Sequence, residues 1–400
     1  MSNPQHKILS INLPSSKSIS NRLLILNALS ENPQQIENLS DCDDTQVLFQ
    51  ALNLNDNQFD MDGAGTSMRF LTAYLSIKSG EWFLTGNERM KQRPIGILVN
   101  AINKLGGHIE CSEKEGFPPL KILGKNLIGG EIELAGDVSS QYLSALLMIA
   151  PLMQKGLTIS LKGKITSKPY IQMTLSLMKK FGVDFKFKKN VIQVSQGNYK
   201  PVSMKVESDW SAASYWFEIM ALSKGDIVIN LKGLDKNSLQ GDSIVTELFK
   251  NFGVQSKFNS QGLELKKKGS VVKSFNYDFT NIPDLTQTFA VTCAFLDIPF
   301  RFTGLSTLKI KETDRISALV NELRKFGFDV KSNNQDNLFW DGSRIEKQPD
   351  ICVKTYNDHR MVMAFAPVIF KTEPFEIDNA EVVRKSYPGF WEEMKKVVSD

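Results

Sequence analysis

Residues 97–110 read ILVNAINKLGGHIE, and the same design returns three times, as LSLMKKFGVDFKF at 175–187, VTELFKNFGVQSKF at 245–258 and ALVNELRKFGFDVK at 318–331. Each stretch has the apolar spacing of an amphipathic helix, stops at a glycine and passes directly into residues of strand type. Glycine suits the position after a helix because it takes a positive φ without steric cost, and the β-branched and aromatic residues behind it favour a strand. The closing glycines, Gly106, Gly182, Gly253 and Gly327, lie 76, 71 and 74 residues apart. Spacing this regular predicts a repeated unit.

A second helix type keeps the same beat, opening on small polar residues and continuing in Ala, Leu and Met. It occurs six times: at 16–29, 65–75, 139–150, 208–221, 284–296 and 357–369. From Gly65 onward the steps to Ser139, Asp209, Asp284 and Asp358 are 74, 70, 75 and 74, whereas Ser18 to Gly65 is 47. The first unit therefore reads as truncated. Short strand-type runs such as LTISLKG, DIVINLKG and PFRFTGL, ended by glycine, fill the intervals. The pattern predicts an α/β protein of about six units, arranged as two domains of three.

The rest of the composition narrows the class. A chain of 400 residues, 42% hydrophobic and 23% charged, has enough apolar surface for two cores. A net charge of +4 is too small to predict a nucleic-acid or membrane-surface partner, so basic residues matter here only where they gather. Cys42, Cys111, Cys293 and Cys352 form no CxxC pair and no zinc-type spacing, and read as reduced core thiols. The N-terminus lacks the basic-then-apolar pattern of a signal peptide, and no apolar run approaches the ~20 residues of a membrane span. These features predict a cytoplasmic protein.

Polar helix starts expose unpaired backbone N–H groups and the positive end of the helix dipole, which makes them natural anion sites. Basic residues gather beside them: Lys17 and Arg22 at the first, Arg69 in the second, Arg89, Lys91 and Arg93 in RMKQRP, Lys168 in SKPY, Lys309, Lys311 and Arg315 around KIKETDR, Arg360 in NDHR, and Arg384 with Lys385. Arginine pairs with carboxylate or phosphate in bidentate fashion and lysine acts as a point charge, so the set predicts a pocket for small, multiply charged anions. Acids are rarer there. From the pattern alone Asp284 is either a plain N-cap or a proton acceptor, and Glu312 stands where a substrate is in reach.

The motifs PSSKSISNR (14–22), DGAGTSMR (62–69), RMKQRPI (89–95), VSSQYLSALLM (138–148), SKPYI (167–171), IPDLTQTFA (282–290), KETDR (311–315), NDHRMVMA (357–364) and RKSYPGF (384–390) resemble, in order and nearly in spacing, those of the 3-phosphoshikimate 1-carboxyvinyltransferase (5-enolpyruvylshikimate-3-phosphate synthase) family. The resemblance runs from about Leu13 to Trp391. It implies a monomeric, two-domain inside-out α/β barrel built from about six βαβαββ repeats, with 1–13 plus 208–400 in one globule and 14–207 in the other. It also implies transfer of the enolpyruvyl group of phosphoenolpyruvate to the 5-hydroxyl of shikimate 3-phosphate, through a tetrahedral adduct and without metal or organic cofactor. Lys17, Ser18, Arg22, Ser139, Ser140, Gln141, Ser167, Tyr170, Asp284, Thr307 and Lys311 would hold shikimate 3-phosphate. Lys17, Gly65, Arg93, Gln141, Arg315, His359, Arg360 and Lys385 would hold phosphoenolpyruvate. Asp284, Glu312 and Lys17 would be the catalytic groups, with the first globule on the phosphoenolpyruvate and acid–base side and the second on the shikimate side.

Some positions depart from the family pattern. Some two dozen residues are absent between the first two motifs, which implies a lost hairpin at the edge of the N-terminal globule. Gly63 and Thr307 stand where the family commonly has Asn. Gly65 and Thr66 keep the common form, implying sensitivity to glyphosate as a competitor of phosphoenolpyruvate. The related UDP-N-acetylglucosamine enolpyruvyl transferases use a loop cysteine, whereas Cys111 reads as a strand residue. A non-catalytic anion binder, or one domain of a larger pathway enzyme, is the remaining alternative; retention of Asp284 and Glu312 argues for catalysis, and the end at Asp400 fits a stand-alone enzyme.

Overall fold

The computed structural model describes residues 7–225, 227–333 and 336–398. The chain forms two compact units, one spanning Ser16–Val206 and the other comprising the chain up to Ser15 with everything from Glu207 onward.

In the Ser16–Val206 unit, Gln58–Asp60 runs parallel to Gly80–Thr85, and an antiparallel pair, Leu120–Gly124 and Ile109–Cys111, completes a four-stranded sheet. The next repeat copies it: Gly130–Ala135 parallel to Leu157–Lys162, followed by antiparallel Val191–Val194 and Phe185–Lys188. The third sheet is only the parallel pair, Ile36–Glu37 with Met204–Lys205. Helices Lys17–Ala28, Gly65–Ile77, Ser140–Ile149 and Lys168–Lys180 pack on one another. Their burial explains the layering. Every residue from Ile19 to Leu26 and from Tyr142 to Ile149 is buried, with Ser20, Asn21 and Arg22 hydrogen-bonded, so these helices lie inside the core. The strands alternate instead, as in Leu157–Lys162, where Leu157, Ile159 and Leu161 point inward, so each sheet covers the helices with one face.

The second unit repeats the plan. Lys7–Asn12 is parallel to Ile227–Lys232 and joined by antiparallel Gly262–Val271 and Phe252–Asn259. Phe275–Asp278 is parallel to Phe300–Thr303 with Leu338–Trp340 antiparallel, and a bridge from Lys331 to Phe339 finishes that hairpin. Cys352–Val353 and Glu376–Ile377 form a parallel pair alone. Helices Trp210–Leu222, Thr286–Phe295 and His359–Phe365 pack together over a core rich in Phe, including Phe249, Phe252, Phe279 and Phe289. Ser15 is bridged to Ser208, and Asp209 N–H donates to Pro14 O at 2.9 Å, where the chain leaves and re-enters this unit.

Among the described residues four sheets carry a hairpin and two do not. This is why the glycine-closed helices number four and the polar-start helices six. The first repeat lacks its hairpin, as the short step implied; the last lacks one too, which the sequence reading did not find. There the chain passes from the turn Ala380–Lys385 into helix Phe390–Val398, which packs on strand Lys7–Asn12. Tyr387 OH donates to Asn12 O at 2.8 Å and Asn12 N–H to Glu393 at 3.3 Å. One predicted helix also differs: of the stretch that starts at Val245 only Val245–Leu248 is α-helical, with 3-10 turns Gly241–Ile244 before it and Phe249–Asn251 after it. Gly106, Gly182, Gly253 and Gly327 all have positive φ, from 71° to 99°. The four cysteines are free thiols, and among the described residues no helix is long and apolar enough to cross a membrane.

Candidate active site

Each unit carries one cluster of the residues singled out above. In the Ser16–Val206 unit the cluster centres on Arg22, 2% exposed. Its Nε donates to Thr174 Oγ1 at 2.7 Å, its terminal nitrogens to Ser18 O at 2.8 Å and Ser144 Oγ at 3.0 Å, and Phe70 lies beneath the guanidinium at 5.3 Å. A longer bond of 3.5 Å reaches Tyr170 O. Among the described residues no carboxylate pairs with this buried charge, and burial alone pushes it down to about 10, so it stays cationic at neutral pH. A buried cation held only by neutral groups is suited to an anion from outside.

Around it, Ser167 has φ of 52°, a left-handed conformation uncommon for serine. Its hydroxyl does not cap the following helix, whose first turn carries Tyr170. Ser139 caps the next helix, accepting from Gln141 N–H at 3.3 Å, while Gln141 Nε2 donates to Thr66 Oγ1 at 3.0 Å; Ser140 is that helix's first residue. Lys17 forms an ion pair with Asp44 at 2.9 Å. Gly65 opens a helix directly under the Arg93 guanidinium: a Cβ at position 65 would lie 2.4 Å from an Arg93 terminal nitrogen. Arg93 is buried, whereas Lys91 in the same loop is spent on surface pairs with Glu88 and Glu113.

In the other unit Asp284 meets three cations: Arg315 at 3.0 Å, Arg360 at 3.0 Å and Lys311 at 3.6 Å. Asp284 is therefore not the N-cap of its helix. That position is Leu285, with no side-chain cap, and the carboxylate is given to the cations. Burial by itself would raise its pKa, but Arg360, Lys311 and Arg315 prevail and hold it well below the usual carboxylate range. Lys311 is lowered by burial, an effect that Asp284 only partly offsets. Arg315 also binds Glu312 at 2.8 Å and Asp358 at 2.7 Å through Nε. Asp358 is fully buried, while Asp284 and Glu312 keep 14% and 17% side-chain exposure. Asp358 thus anchors Arg315 from behind, and the other two carboxylates stand at the solvent side.

His359 Nδ1 lies 3.9 Å from Asp358, and Lys385 Nζ donates to Asn357 O at 3.1 Å, next to the same residue. Thr307 sits in the turn before Lys311 with its buried hydroxyl making no hydrogen bond. Arg384 and Lys168, by contrast, are exposed. The sequence reading missed Asp358 and Asp44. Asp358 lies inside the NDHR motif and Asp44 outside every motif, and nothing in the pattern separates an acid that orients a cation from an ordinary helix start. The second cluster is also less basic than expected, since its three cations face three carboxylates. Among the described residues no group of three or more His, Cys, Asp or Glu is placed to hold a metal ion.

Comparison with known proteins agrees with this architecture. The family description "EPSP synthase (3-phosphoshikimate 1-carboxyvinyltransferase)" matches residues 4–55 and 49–394. The two stretches overlap at 49–55, in the segment where the first repeat lacks its hairpin. A 3-phosphoshikimate 1-carboxyvinyltransferase of Bacteroides fragilis is 52% identical over 397 residues, covering 99% of this chain and 97% of that protein. One of Vibrio campbellii is 34% identical over 414 residues, covering 96% of each. The solved EPSP synthase of Acinetobacter baumannii shares the fold, with a TM-score of 0.76 over 99% of this chain and 97% of that one at 20% identity. Repeated architecture and relatives together define the class as a transferase. Within it, the chain belongs to the EPSP synthase (3-phosphoshikimate 1-carboxyvinyltransferase) family.

Proposed function

We propose that the two clusters divide the labour of the reaction this chain catalyses, the transfer of the enolpyruvyl group from phosphoenolpyruvate to shikimate 3-phosphate in aromatic amino-acid biosynthesis. Arg22, Ser18, Ser139, Ser140, Gln141, Ser167 and Tyr170 hold shikimate 3-phosphate, joined by Thr307 and Lys311. Gly65, Arg93, Gln141, Arg315, His359, Arg360 and Lys385 hold phosphoenolpyruvate, and Lys17 touches both. The single observation that supports this most is the buried Arg22 charge, whose hydrogen-bond partners among the described residues are all neutral.

The chemistry follows from charge. Each substrate carries a phosphate and a carboxylate, and their repulsion opposes encounter. Fixed cations offset it and hold the 5-hydroxyl against C2 of phosphoenolpyruvate; such positioning is worth roughly 7–11 kcal/mol of barrier. Glu312 delivers a proton to C3 as the hydroxyl oxygen attacks C2 and its proton passes to Asp284. Phosphate then leaves C2 of the tetrahedral adduct, taking up the proton held by Asp284, while C3 returns a proton to Glu312, which restores the double bond and both carboxyl groups. In the unliganded cluster Asp284 is a weak base because three cations face it. Substrate anions that engage Arg315, Arg360 and Lys311 reduce that field and strengthen the base when the hydroxyl is present. Fixed cations also stabilise the charge that develops in the adduct. The enzyme acts as a cytoplasmic monomer and needs no metal, cofactor or nucleic-acid partner.

A phosphate-release assay tests the reading, with phosphoenolpyruvate plus either shikimate 3-phosphate or UDP-N-acetylglucosamine. Release is expected with the first acceptor only, and release with the sugar nucleotide alone would overturn it. Asp284→Asn is expected to bind both substrates and to lose most of its turnover.

A further inference from the structure

Two buried side chains converge on a single carbonyl beside Arg93. Pro94 O accepts from an Arg69 terminal nitrogen at 3.1 Å and from Tyr142 OH. Tyr142 is 4% exposed and Arg69 3%. The other terminal nitrogen of Arg69 donates to Gly65 O at 3.0 Å and lies 3.3 Å from the Met90 sulfur. One guanidinium therefore spans the start of the Gly65–Ile77 helix and the loop just past Arg93. Proline fixes its own φ and restricts the residue before it, and Arg93 has the extended backbone this requires, φ −93° and ψ 121°. With φ of Pro94 fixed by the ring, ψ of Pro94 is the one soft torsion between its carbonyl and the Arg93 backbone, and the two hydrogen bonds to that carbonyl hold it. The Arg93 side chain in turn lies over Gly65 and donates to Gly63 O at 3.3 Å.

We propose that Tyr142, acting with Arg69 through the Pro94 carbonyl, is a positioning residue that sets Arg93 over Gly65 and so tunes the binding of phosphoenolpyruvate and of anions that compete with it. The inference rests on the reading that Arg93 and Gly65 hold phosphoenolpyruvate. Tyr142 follows Gln141 on the first turn of its helix, and Gln141 donates to Thr66, so this one turn braces both the glycine loop and the arginine loop. Tyrosine as mere core filling would need no such partner shared with an arginine.

The test is steady-state phosphate release by Tyr142→Phe, which removes the hydroxyl and keeps the ring, beside Arg93→Lys and the wild type. Tyr142→Phe is expected to raise KM for phosphoenolpyruvate about fivefold, the scale of one lost hydrogen bond. The glyphosate inhibition constant rises in parallel, while KM for shikimate 3-phosphate and the melting temperature stay near wild type. If Arg93→Lys raises KM for phosphoenolpyruvate and Tyr142→Phe does not, the positioning role is wrong while Arg93 keeps its place. If Arg93→Lys leaves that KM unchanged, the reading of Arg93 fails and the inference with it. A rise of both KM values together in Tyr142→Phe, with a lower melting temperature, marks a structural role and overturns the proposal.

Discussion

Replacing Glu218 by glutamine should remove a pH dependence that the wild type carries in its core. Glu218 lies on helix Trp210–Leu222 with no solvent exposure, and among the described residues neither carboxyl oxygen has a partner at full hydrogen-bond geometry, the Thr292 hydroxyl being a polar neighbour. Burial raises its pKa well above the ordinary glutamate value, and the nearby Thr292 hydroxyl does not offset this. The folded state therefore holds the proton more tightly than the unfolded chain. Its contribution is fully present below the unfolded pKa, near 4.3, and is lost as pH rises through the folded value. Across that window the wild type should lose about 1.4 kcal/mol of stability per pH unit relative to Glu218→Gln, which has nothing to titrate. Asp242, also buried and raised to about 7 by burial with Asp284 adding to it, titrates in both proteins and cancels in the difference. Urea unfolding between pH 5 and 7, followed by the fluorescence of the buried Trp210 and Trp216 on the same helix, measures the slope. Parallel stability curves for the two proteins would refute the reasoning.

Gly65→Ala places a Cβ where the Arg93 guanidinium lies; KM for phosphoenolpyruvate should rise on the order of tenfold, about the 1.4 kcal/mol of a disturbed charged hydrogen bond, with KM for shikimate 3-phosphate unchanged. Glyphosate should inhibit the wild type well below millimolar concentration and inhibit Gly65→Ala less, and a millimolar inhibition constant for the wild type would count against the intact Gly65–Thr66 reading. Asp358→Asn removes the carboxylate behind the buried Arg315; a fall in unfolding free energy of about 3 kcal/mol and a higher KM for phosphoenolpyruvate are expected, read by urea titration and phosphate release.

The repeat was legible in the sequence because its period is enforced locally: a glycine with positive φ must follow each hairpin helix, and polar residues must open each core helix. Counting both types already held the number of hairpins, four against six. Truncation of the last repeat stayed hidden because its beat ends with the chain, leaving no later helix to measure a short step against. Site residues that touch ligands were readable where the residue type itself suits anions, as with Arg22 and Arg360. Asp44 and Asp358 were not, since their work is to orient Lys17 and Arg315 across 27 and 43 residues of sequence, a relation that only folding creates. Asp284 shows the same limit from the other side. Its place at a helix start suggested a cap, and three cations from two other segments gave the carboxylate a different role.

Arg22 and Arg360 serve different substrates in this reading, shikimate 3-phosphate and phosphoenolpyruvate respectively. Steady-state phosphate release by Arg22→Lys and Arg360→Lys, with each substrate varied in turn, tests this most directly. Arg22→Lys should raise KM for shikimate 3-phosphate alone and Arg360→Lys that for phosphoenolpyruvate alone; equal shifts in both constants for either variant, or no shift in either, would contradict it.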